Sequence, residues 1–513
     1  MFPDTMSGQQ HFGCFLILAG VLALLLQAPS THAQLAMPAY REDRILIQPK
    51  PGIGRSAMAA FHAERQSKVL QTFEGLGQLQ VLSVPQGETV QDLISQYQKS
   101  GLVEFAEPDY KIYAAAIPND PYYTNGTLWG LDNTGQNGGT ADADIDAPEA
   151  WDVLTSASNI VVAVVDSGIR YTHEDLASNM WVNPVDGGHG WNALTASNNP
   201  SDDNGHGTQV AGVLGAMGNN GKGVVGVAWQ VQMMACKCLN SSGVGSDSDL
   251  ITCINYALTN GAKIINASLA GTNFSSAVSN AIVSTREAGI IFVAAAGNSN
   301  PQTASTGINI DINPTYPACY SIDNIVPVAY TTDTDALGQF SDYGATNVAL
   351  AAPGDQIYST TFNNDSSYSS SFYVGLHIYG TGTSYAAPYV SGACALLMAQ
   401  YPSDTYQETI ARLLSSTDPL PSLAGKCRTG GRLNLRKALR TVGVAAVPAG
   451  GGNSFQLRVS GGLHRTCVVE VTSNLMNWSP IFTNTTSTNG TFDYADNQPT
   501  NWPQRFFRAT ASP

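Results

Sequence analysis

Three short segments carry residue types that could act together on an acyl group. In chain order they supply an acid, a base and a nucleophile: Asp166 at the end of an apolar run, His206 between two glycines, and Ser384 within a glycine-flanked Gly-Thr-Ser. A serine hydroxyl is a weak nucleophile near neutral pH, so it needs a base within hydrogen-bonding reach and a third group that orients the base. These three residues could fill those roles, and serine-protease chemistry is therefore the leading hypothesis.

A fourth motif could stabilise the negative charge that develops in such a reaction. Asn298 closes an Ala-Ala-Ala-Gly-Asn sequence that follows an apolar strand candidate, and its carboxamide could donate to an oxyanion. Ser384 opens a helix candidate, where its own N–H and the helix dipole would help. Taken singly, these motifs have ordinary explanations as caps and turns. Four compatible motifs in one order favour a catalytic site.

Over about residues 118–439 the chain resembles the subtilisin-like serine proteases, or subtilases. The resemblance depends on Asp-Ser-Gly at 166–168, His-Gly-Thr at 206–208, Gly-Asn at 297–298 and Gly-Thr-Ser-x-Ala-x-Pro at 382–388. It implies four catalytic roles: triad acid Asp166, general base His206, nucleophile Ser384 and oxyanion donor Asn298. The implied activity is that of a secreted endopeptidase that cleaves protein or peptide substrates.

The resemblance extends to substrate binding and also shows departures from the family. Ser268, Leu269 and Ala270 resemble the extended segment that pairs with the substrate backbone beside the S1 pocket, facing Gly297. The family more often has glycine at the position of Ala270. Two further departures are Tyr385, where methionine is frequent, and Tyr389, where histidine is frequent. None of these changes removes a catalytic group.

A structural calcium site is also implied by the resemblance. Asp120, Asp175 and Asn220 resemble ligands of the strong calcium site of many subtilases, and hard oxygen ligands suit this ion. The alternative is that these residues form caps and turns. The acidic run 142–146 superficially resembles an EF-hand, but its sixth position is alanine and its twelfth valine, which excludes that loop. The sequence contains no HExxH motif, which argues against a zinc protease.

The elements that would position these residues alternate between short apolar strands and helices. This pattern predicts an α/β domain over residues 118–440, with a mostly parallel sheet, helices on both faces and catalytic groups at the carboxyl ends of strands. The strand candidates are 160–165, 231–236, 263–265, 290–295 and 325–328. The helix candidates are 246–259 and 275–288.

Residues 40–115 read as a small α+β unit. Apolar strands at 44–48 and 79–84 accompany helical spacing at 56–68 and 89–99. The unit resembles the ferredoxin-like inhibitory prodomain of subtilases, which implies an intramolecular inhibitor removed by autoprocessing near residues 114–116. The alternative is a permanent domain of the mature protein.

After the catalytic domain, a glycine-rich stretch at 447–453 is predicted to be a flexible linker, and residues 454–513 a small all-β, sandwich-like module. The module contains several aromatic residues that could form its core or contact a glycan or protein surface: Trp478, Trp502, Phe506 and Phe507. A second hypothesis follows, in which the protease fold is a catalytically silent scaffold for a surface-binding module. The intact catalytic set favours the enzyme.

Composition and termini indicate an exported protein. The 24 Lys and Arg against 39 Asp and Glu give a net charge of −15, which disfavours nucleic acids and anionic membranes as partners. The apolar run 15–26 and a small-residue site near Ala33 predict a signal peptide over residues 1–33, and no apolar C-terminal tail indicates a membrane anchor. The seven cysteines beyond residue 33 are expected to be mostly core thiols, with one or two disulfides.

Ester or lipid hydrolysis by the same triad is a third possibility. The α/β-hydrolases, however, place their serine in a Gly-x-Ser-x-Gly sequence and follow the order Ser, Asp, His. This chain has the order Asp, His, Ser.

Overall fold

The computed structural model describes residues 40–110, 116–299, 306–370, 373–374, 377–378, 380–440, 442–447, 455–461, 466–473, 478–487, 491–496 and 505–511. The predicted signal peptide and most of the predicted processing segment lie outside these residues. Within the described part, no helix combines the length and apolar character that crossing a bilayer requires.

The first unit is a four-stranded antiparallel sheet with two helices on one face. Its elements are β1 (Tyr40–Pro49), α1 (Arg55–Glu64), β2 (Val69–Phe73), β3 (Leu79–Ser83), α2 (Val90–Lys99) and β4 (Val103–Tyr110). The strand order is β2-β3-β1-β4. Buried Ile45, Ile47 and Leu82 of the sheet pack with Leu93 and Tyr97 of α2 in one core, so the α+β prediction is confirmed.

Helix α1 stops earlier than its apolar spacing predicts. The sequence favours a helix over 56–68, whereas the structure ends it at Glu64. Gln66 has a φ of 56°, a left-handed conformation that a right-handed helix cannot contain. The chain therefore turns there into β2.

The central part of the chain folds around a nine-stranded sheet. Its elements are α3 (Pro121–Thr124), α4 (Ala147–Trp151), β5 (Ser156–Asp166), β6 (Gly190–Asn192), α5 (His206–Gly215), β7 (Gln230–Lys237), α6 (Asp247–Thr259), β8 (Ile264–Ala267), α7 (Ser276–Glu287), β9 (Ile291–Ala295), β10 (Ile325–Thr331), β11 (Leu350–Pro353), β12 (Ser359–Thr360), β13 (Tyr368–Ser369), β14 (Tyr373–Val374), β15 (His377–Ile378), α8 (Thr383–Gln400), α9 (Tyr406–Ser415), β16 (Asp418–Pro419), β17 (Gly431–Arg432) and α10 (Leu435–Arg440).

The strand order of the large sheet is β16-β17-β11-β10-β9-β8-β5-β7-β6. Its neighbouring strands run parallel, except that β16 pairs antiparallel with β17. The predicted α/β class with a mostly parallel sheet is thus confirmed.

Both faces of this sheet are buried, and alternate residues of β5 show it. Val162 and Val164 join the core layer that contains α5 and α8, while Ala163 and Val165 join the layer under α6 and α7. Successive strand residues point to opposite faces, so a strand covered on both sides must be apolar throughout. That requirement explains the continuous apolar run at 160–165 within β5.

The C-terminal part forms two three-stranded antiparallel sheets, ordered β18-β19-β22 and β21-β20-β23. Its strands are β18 (Gly443–Val447), β19 (Phe455–Ser460), β20 (Thr466–Thr472), β21 (Ser479–Thr485), β22 (Thr491–Asp496) and β23 (Phe506–Ala511). Leu457 and Val459 of one sheet share a core with Cys467 and Val469 of the other, and Phe507 packs against it. The all-β prediction is confirmed; Trp502 lies outside the described residues.

The predicted linker at 447–453 has a different place in the structure. Strand β18 begins three residues after α10 ends and pairs antiparallel with β19, with Val447 opposite Gln456. The glycine-rich stretch therefore connects two paired strands of one sheet instead of separating two domains. Glycine-rich composition marks hairpin loops as well as linkers, and pattern alone did not distinguish them.

One buried arginine joins the central domain to this C-terminal module. Arg412 of α9 pairs with buried Asp404, and its guanidinium lies 3.8 Å from the centre of the Tyr401 ring. Its Nη2 donates to the carbonyl oxygen of Ser460, at the end of β19, at 3.2 Å. A buried, charged side chain of the central domain therefore binds the C-terminal module.

The seven described cysteines are all free thiols, and the expectation of one or two disulfides was wrong. Six are buried and only Cys319 is partly accessible. Burial raises the pKa of the Cys394 thiol to about 12, which keeps it protonated. These cysteines act as small apolar side chains of the core, as expected for most of them.

Candidate active site

The predicted catalytic residues come from the ends of four elements. Asp166 is the last residue of β5, His206 the first of α5 and Ser384 the second of α8, while Asn298 lies just beyond β9. Carboxyl ends of parallel strands and amino ends of the following helices meet at one edge of an α/β sheet. The fold therefore brings residues from distant parts of the sequence to that edge.

Asp166 and His206 form a close acid–base pair. His206 Nδ1 lies 2.8 Å and 3.0 Å from the two carboxylate oxygens of Asp166, whose side chain is fully buried. An N–H at Nδ1 directed to the carboxylate leaves Nε2 as the proton-accepting nitrogen. Burial lowers the pKa of His206, but the charge of Asp166, its hydrogen bond to the ring and the nearby charge of Asp202 together outweigh burial, so this pKa is raised overall.

A second buried carboxylate, which the sequence motifs did not reveal, fixes the loop that carries the base. Asp202 accepts hydrogen bonds from Ser167 Oγ at 2.9 Å, from Gly205 N at 2.9 Å and from Thr208 N at 3.0 Å. It thereby ties the residue after Asp166 to residues on both sides of His206. Two adjacent aspartates shortly before the Gly-His-Gly sequence were the available signal.

Lys237 is a further residue that sequence reasoning missed. Its Nζ, almost completely buried, donates to the Ser167 carbonyl at 2.6 Å and to Asp203 Oδ1 at 2.6 Å. A buried ammonium needs such partners, because an unpaired charge in the interior is costly. Lys237 therefore connects Ser167, the residue after the acid, to Asp203 in the loop before the base.

Ser384 is partly exposed in the cleft and is linked to Ser268. Its Oγ donates to the Ser268 carbonyl at 3.1 Å, while Ser268 Oγ donates to the Ser384 carbonyl at 2.7 Å. A buried chain continues from there: Asn266 Nδ2 donates to Ser268 Oγ at 2.9 Å, and Ser391 Oγ donates to Asn266 Oδ1 at 2.8 Å. The first turns of α8 are thus fastened to the end of β8.

Asn298 is oriented by the residue before the nucleophile. Its Oδ1 accepts a hydrogen bond from Thr383 N at 2.9 Å, so its Nδ2 is the group that remains to donate. Gly382 has a φ of 143°, and a Cβ there would lie 3.0 Å from Asn298 Nδ2. A glycine at this position leaves the space that the carboxamide needs.

The predicted catalytic and substrate-binding residues other than Asp166 line one cleft of about 1050 Å³. The predicted site residues that line it are His206, Ser384, Asn298, Ser268, Leu269, Ala270 and Gly297. Asp166 lies behind His206 in the interior. An aromatic group at the rim, formed by Phe274, Tyr316 and Tyr320 with ring centres 4.7–5.5 Å apart, was not expected from the sequence.

The three predicted calcium ligands also come together, away from the cleft. Asp120 Oδ2 accepts from Asn219 N at 2.7 Å, and Asp175 Oδ1 accepts from Asn220 Nδ2 at 2.8 Å. Both carboxylates are buried, and burial, followed by the nearby charge of Asp175, raises the pKa of Asp120. Two adjacent buried carboxylates suit a hard cation in chemistry. Among the described residues, no cluster of three or more His, Cys, Asp or Glu side chains has a metal-binding arrangement.

Comparison with known families gives two matches along the chain. Residues 157–444 match the model of the subtilase family of peptidases, and residues 27–109 match that of the fervidolysin N-terminal prodomain. The first match contains the four candidate catalytic residues, and the second contains the described part of the α+β unit up to Asp109.

Individual relatives agree with these matches. The thermophilic serine proteinase of Bacillus sp. (strain AK1) is 31% identical over 73% of this chain and 83% of its own length. Thermitase of Thermoactinomyces vulgaris is 36% identical over 63% of this chain and 99% of its own. Among solved structures, a protease of Pseudoalteromonas arctica is 29% identical, with a TM-score of 0.50 over 63% of this chain and 98% of that one.

Proposed function

Because this chain belongs to the subtilase family and is a subtilisin-like serine endopeptidase, we propose that Asp166, His206 and Ser384 are its catalytic triad. The observation that carries the proposal is the contact of His206 Nδ1 with both carboxylate oxygens of buried Asp166, in the cleft that also holds Ser384. A buried carboxylate that orients an imidazole, in a cleft with a partly exposed serine, is the arrangement that such a triad requires.

In the proposed reaction, Ser384 Oγ attacks the carbonyl carbon of the scissile peptide bond. His206 Nε2 takes the proton that Ser384 Oγ shares with the Ser268 carbonyl in the structure. The carbonyl oxygen becomes an oxyanion, and Asp166 stabilises the imidazolium. Collapse of the intermediate releases the amine, which takes the proton from His206, and leaves an acyl-enzyme. Water then repeats the sequence and frees the acid.

Asn298 Nδ2 and the backbone N–H of Ser384 are proposed to donate to the oxyanion. The contact from Thr383 to Asn298 Oδ1 supports this role, because it fixes the carboxamide before substrate arrives. Preorganised donors stabilise charge without reorganisation during the reaction. Loss of the equivalent side-chain donor lowers kcat by about 10²–10³, a magnitude established for subtilisin itself.

We further propose that the protein is made as an exported, autoprocessed precursor. The N-terminal match to a protease prodomain and the separate core of residues 40–110 support a unit that folds and inhibits its own catalytic domain. Cleavage would fall near residues 114–116, and the signal over 1–33 would direct secretion. The C-terminal module would remain available for contact with a surface or glycan.

Calcium is proposed to bind where Asp120, Asp175 and Asn220 meet. Two buried carboxylates beside Asn220 supply hard oxygen atoms, and an ion there would join the segment before α3 to two surface loops. Bound calcium would neutralise the adjacent carboxylates and contribute to stability.

The second hypothesis, a catalytically silent scaffold for a surface-binding module, is not favoured, because the chain belongs to a family of enzymes.

The test compares the wild type with Ser384→Ala by N-terminal sequencing, intact mass and hydrolysis of casein. We expect the wild type to begin near residues 114–117 and to cut casein, and the variant to keep its prodomain and remain inert. A full-length, inert wild type with correct circular dichroism would overturn the proposal. Hydrolysis by a full-length wild type would overturn autoprocessing alone.

A further inference from the structure

The charged groups at the surface of the cleft are all of one sign when His206 is neutral. Among the described residues that line it, Asp247 and Asp355 carry carboxylates, and no Lys or Arg contributes. Electrostatic complementarity between a cleft and its ligand favours substrates of the opposite charge. The positions of these two carboxylates therefore bear on which substrates are cleaved.

Asp355 contacts the chain three residues before the nucleophile, whereas the substrate-pairing segment contacts the nucleophile itself. Hydrogen bonds along residues 381–384 give this order: Thr381 Oγ1 contacts Asp355, Thr383 N contacts Asn298, and Ser384 Oγ contacts the Ser268 carbonyl. Under the proposed function, 268–270 pairs with the acyl part of the substrate. Asp355 therefore borders the part of the cleft that receives the leaving group.

The carboxylate of Asp355 is half-buried and lacks a cationic partner within the described chain. Its Oδ1 accepts from Thr381 Oγ1 at 3.1 Å, and no described Lys or Arg forms an ion pair with it. Burial, with the nearby charge of Asp333, raises the pKa of its carboxyl. A carboxylate withdrawn from water in this way gains more from a cation than one in open solvent does.

One aromatic ring, that of Phe340, is partly exposed along the cleft. Tyr330 is buried beside Gly354, the residue before Asp355, and its Oη accepts a hydrogen bond from Phe340 N at 3.2 Å, which fixes Phe340 in place. Aromatic surface suits the aliphatic stem of a long side chain, and a carboxylate suits its charged end. Together they match lysine or arginine.

We propose that Asp355 makes this enzyme prefer substrates with a basic side chain at the first or second position after the scissile bond. The inference rests on the proposed function, which assigns the two sides of the cleft. It names a class of substrate, peptides with lysine or arginine in the leaving group, and a residue that selects it. Asp355 binds this side chain and takes no part in bond cleavage.

The test uses internally quenched peptides with one fixed acyl side and lysine, norleucine or glutamate at either position after the cleaved bond. Norleucine matches the length of lysine without its charge. For the wild type at low salt, we expect kcat/KM for lysine to exceed that for norleucine about tenfold at one of the positions. Asp355→Asn keeps the acceptor for Thr381 but should reduce this ratio to near one.

Glu287→Gln is the matched control, because it removes the same charge from an exposed site on α7, away from the cleft. It should keep the wild-type ratio. A wild-type ratio near one, or an unchanged ratio in Asp355→Asn, would overturn this inference alone. A wild type that cleaves none of the peptides would overturn the proposed function and this inference with it.

Discussion

Ser268 and Ser384 are joined by two hydrogen bonds of opposite direction. The hydroxyl of each donates to the carbonyl oxygen of the other, at 2.7 Å from Ser268 and 3.1 Å from Ser384. The nucleophile's backbone and side chain are thus both positioned by one residue at the end of β8. The segment proposed to bind substrate and the residue proposed to attack it are therefore directly connected.

Replacing Ser268 by alanine should lower kcat/KM about tenfold, mainly through kcat, because the Ser384 carbonyl loses its donor and the first turn of α8 shifts. Steady-state kinetics on one peptide would measure how much of the loss lies in kcat and how much in KM. Ser391→Ala, at the far end of the same chain of hydrogen bonds, should give a smaller loss. An unchanged kcat with a raised KM would show that Ser268 acts only on substrate binding.

The pH dependence of kcat/KM should report His206. The base must be neutral, and its pKa is raised, so activity should rise with pH to a plateau, with a midpoint above the usual 6.5. Asp166→Asn removes the charge that raises this pKa and should lower kcat by about 10⁴. A wild-type midpoint at or below 6.5 would contradict the electrostatic role of Asp166.

Calcium should stabilise the wild type against heat. At a calcium concentration 100 times the dissociation constant, binding to the folded state alone adds about 2.7 kcal/mol to the free energy of unfolding. Asp175→Asn should abolish the rise in melting temperature on calcium addition, measured by calorimetry after chelation. Asp186→Asn, a matched change in another loop, should retain it. Equal responses in both variants would exclude the proposed site.

The stability of the N-terminal unit should fall in acid because of His62. This buried imidazole contacts Tyr97 Oη at 2.7 Å and Gln80 Oε1 at 2.9 Å, and burial lowers its pKa. The unfolded chain therefore binds a proton that the folded unit does not. The stability from neutral His62 is complete above about pH 6.5 and decreases as pH falls toward the lowered folded pKa.

Hydrogen exchange of residues 40–110 in full-length Ser384→Ala would measure this effect at pH 7.5 and 5.5. We expect lower protection at pH 5.5 once each rate is divided by the intrinsic exchange rate at the same pH, and His62→Gln should reduce the difference between the two values. His189→Gln, outside this unit, serves as the control. If His62→Gln kept the full difference, another group would be responsible.

Arg412→Met should destabilise the protein by about 3–5 kcal/mol, because it leaves the buried Asp404 carboxylate without its partner. Loss of the contact with the Ser460 carbonyl should also increase hydrogen exchange in β19. The double variant Arg412→Met, Asp404→Asn should recover part of the stability, measured by chemical denaturation. No recovery would mean that the contact with the module, not the ion pair, supplies the energy.

The sequence predicted the parts of the molecule that local chemistry marks. Continuous apolar runs identified the strands of the central sheet, and short motifs located Asp166, His206, Ser384 and Asn298 at their ends. A few adjacent residues are enough to indicate the chemistry of the side chain at such a position. The structure places these four residues at one edge of the sheet, as expected for the carboxyl ends of parallel strands and the amino ends of the following helices.

The supporting contacts could not be predicted in this way. Lys237 and the pair Asn266 and Ser391 act through partners far away in sequence, and nothing in their flanks indicates those partners. Asp202 contacts nearby Gly205 and Thr208, but its bond with Ser167 is also long-range. The glycine-rich stretch at 447–453 was misplaced for a related reason, since its role depends on the pairing of β18 with β19. Pairing between strands is a tertiary property.

The buried thiols carry a practical consequence for production of the protein. With all seven described cysteines reduced, no covalent cross-link between side chains holds these parts of the fold together, and none has to form during folding. If the protein is exported as proposed, it would not need an enzyme that forms disulfides in order to become active. Reducing agents should leave the folded enzyme unharmed, so it should tolerate media in which disulfide-dependent proteases lose their structure.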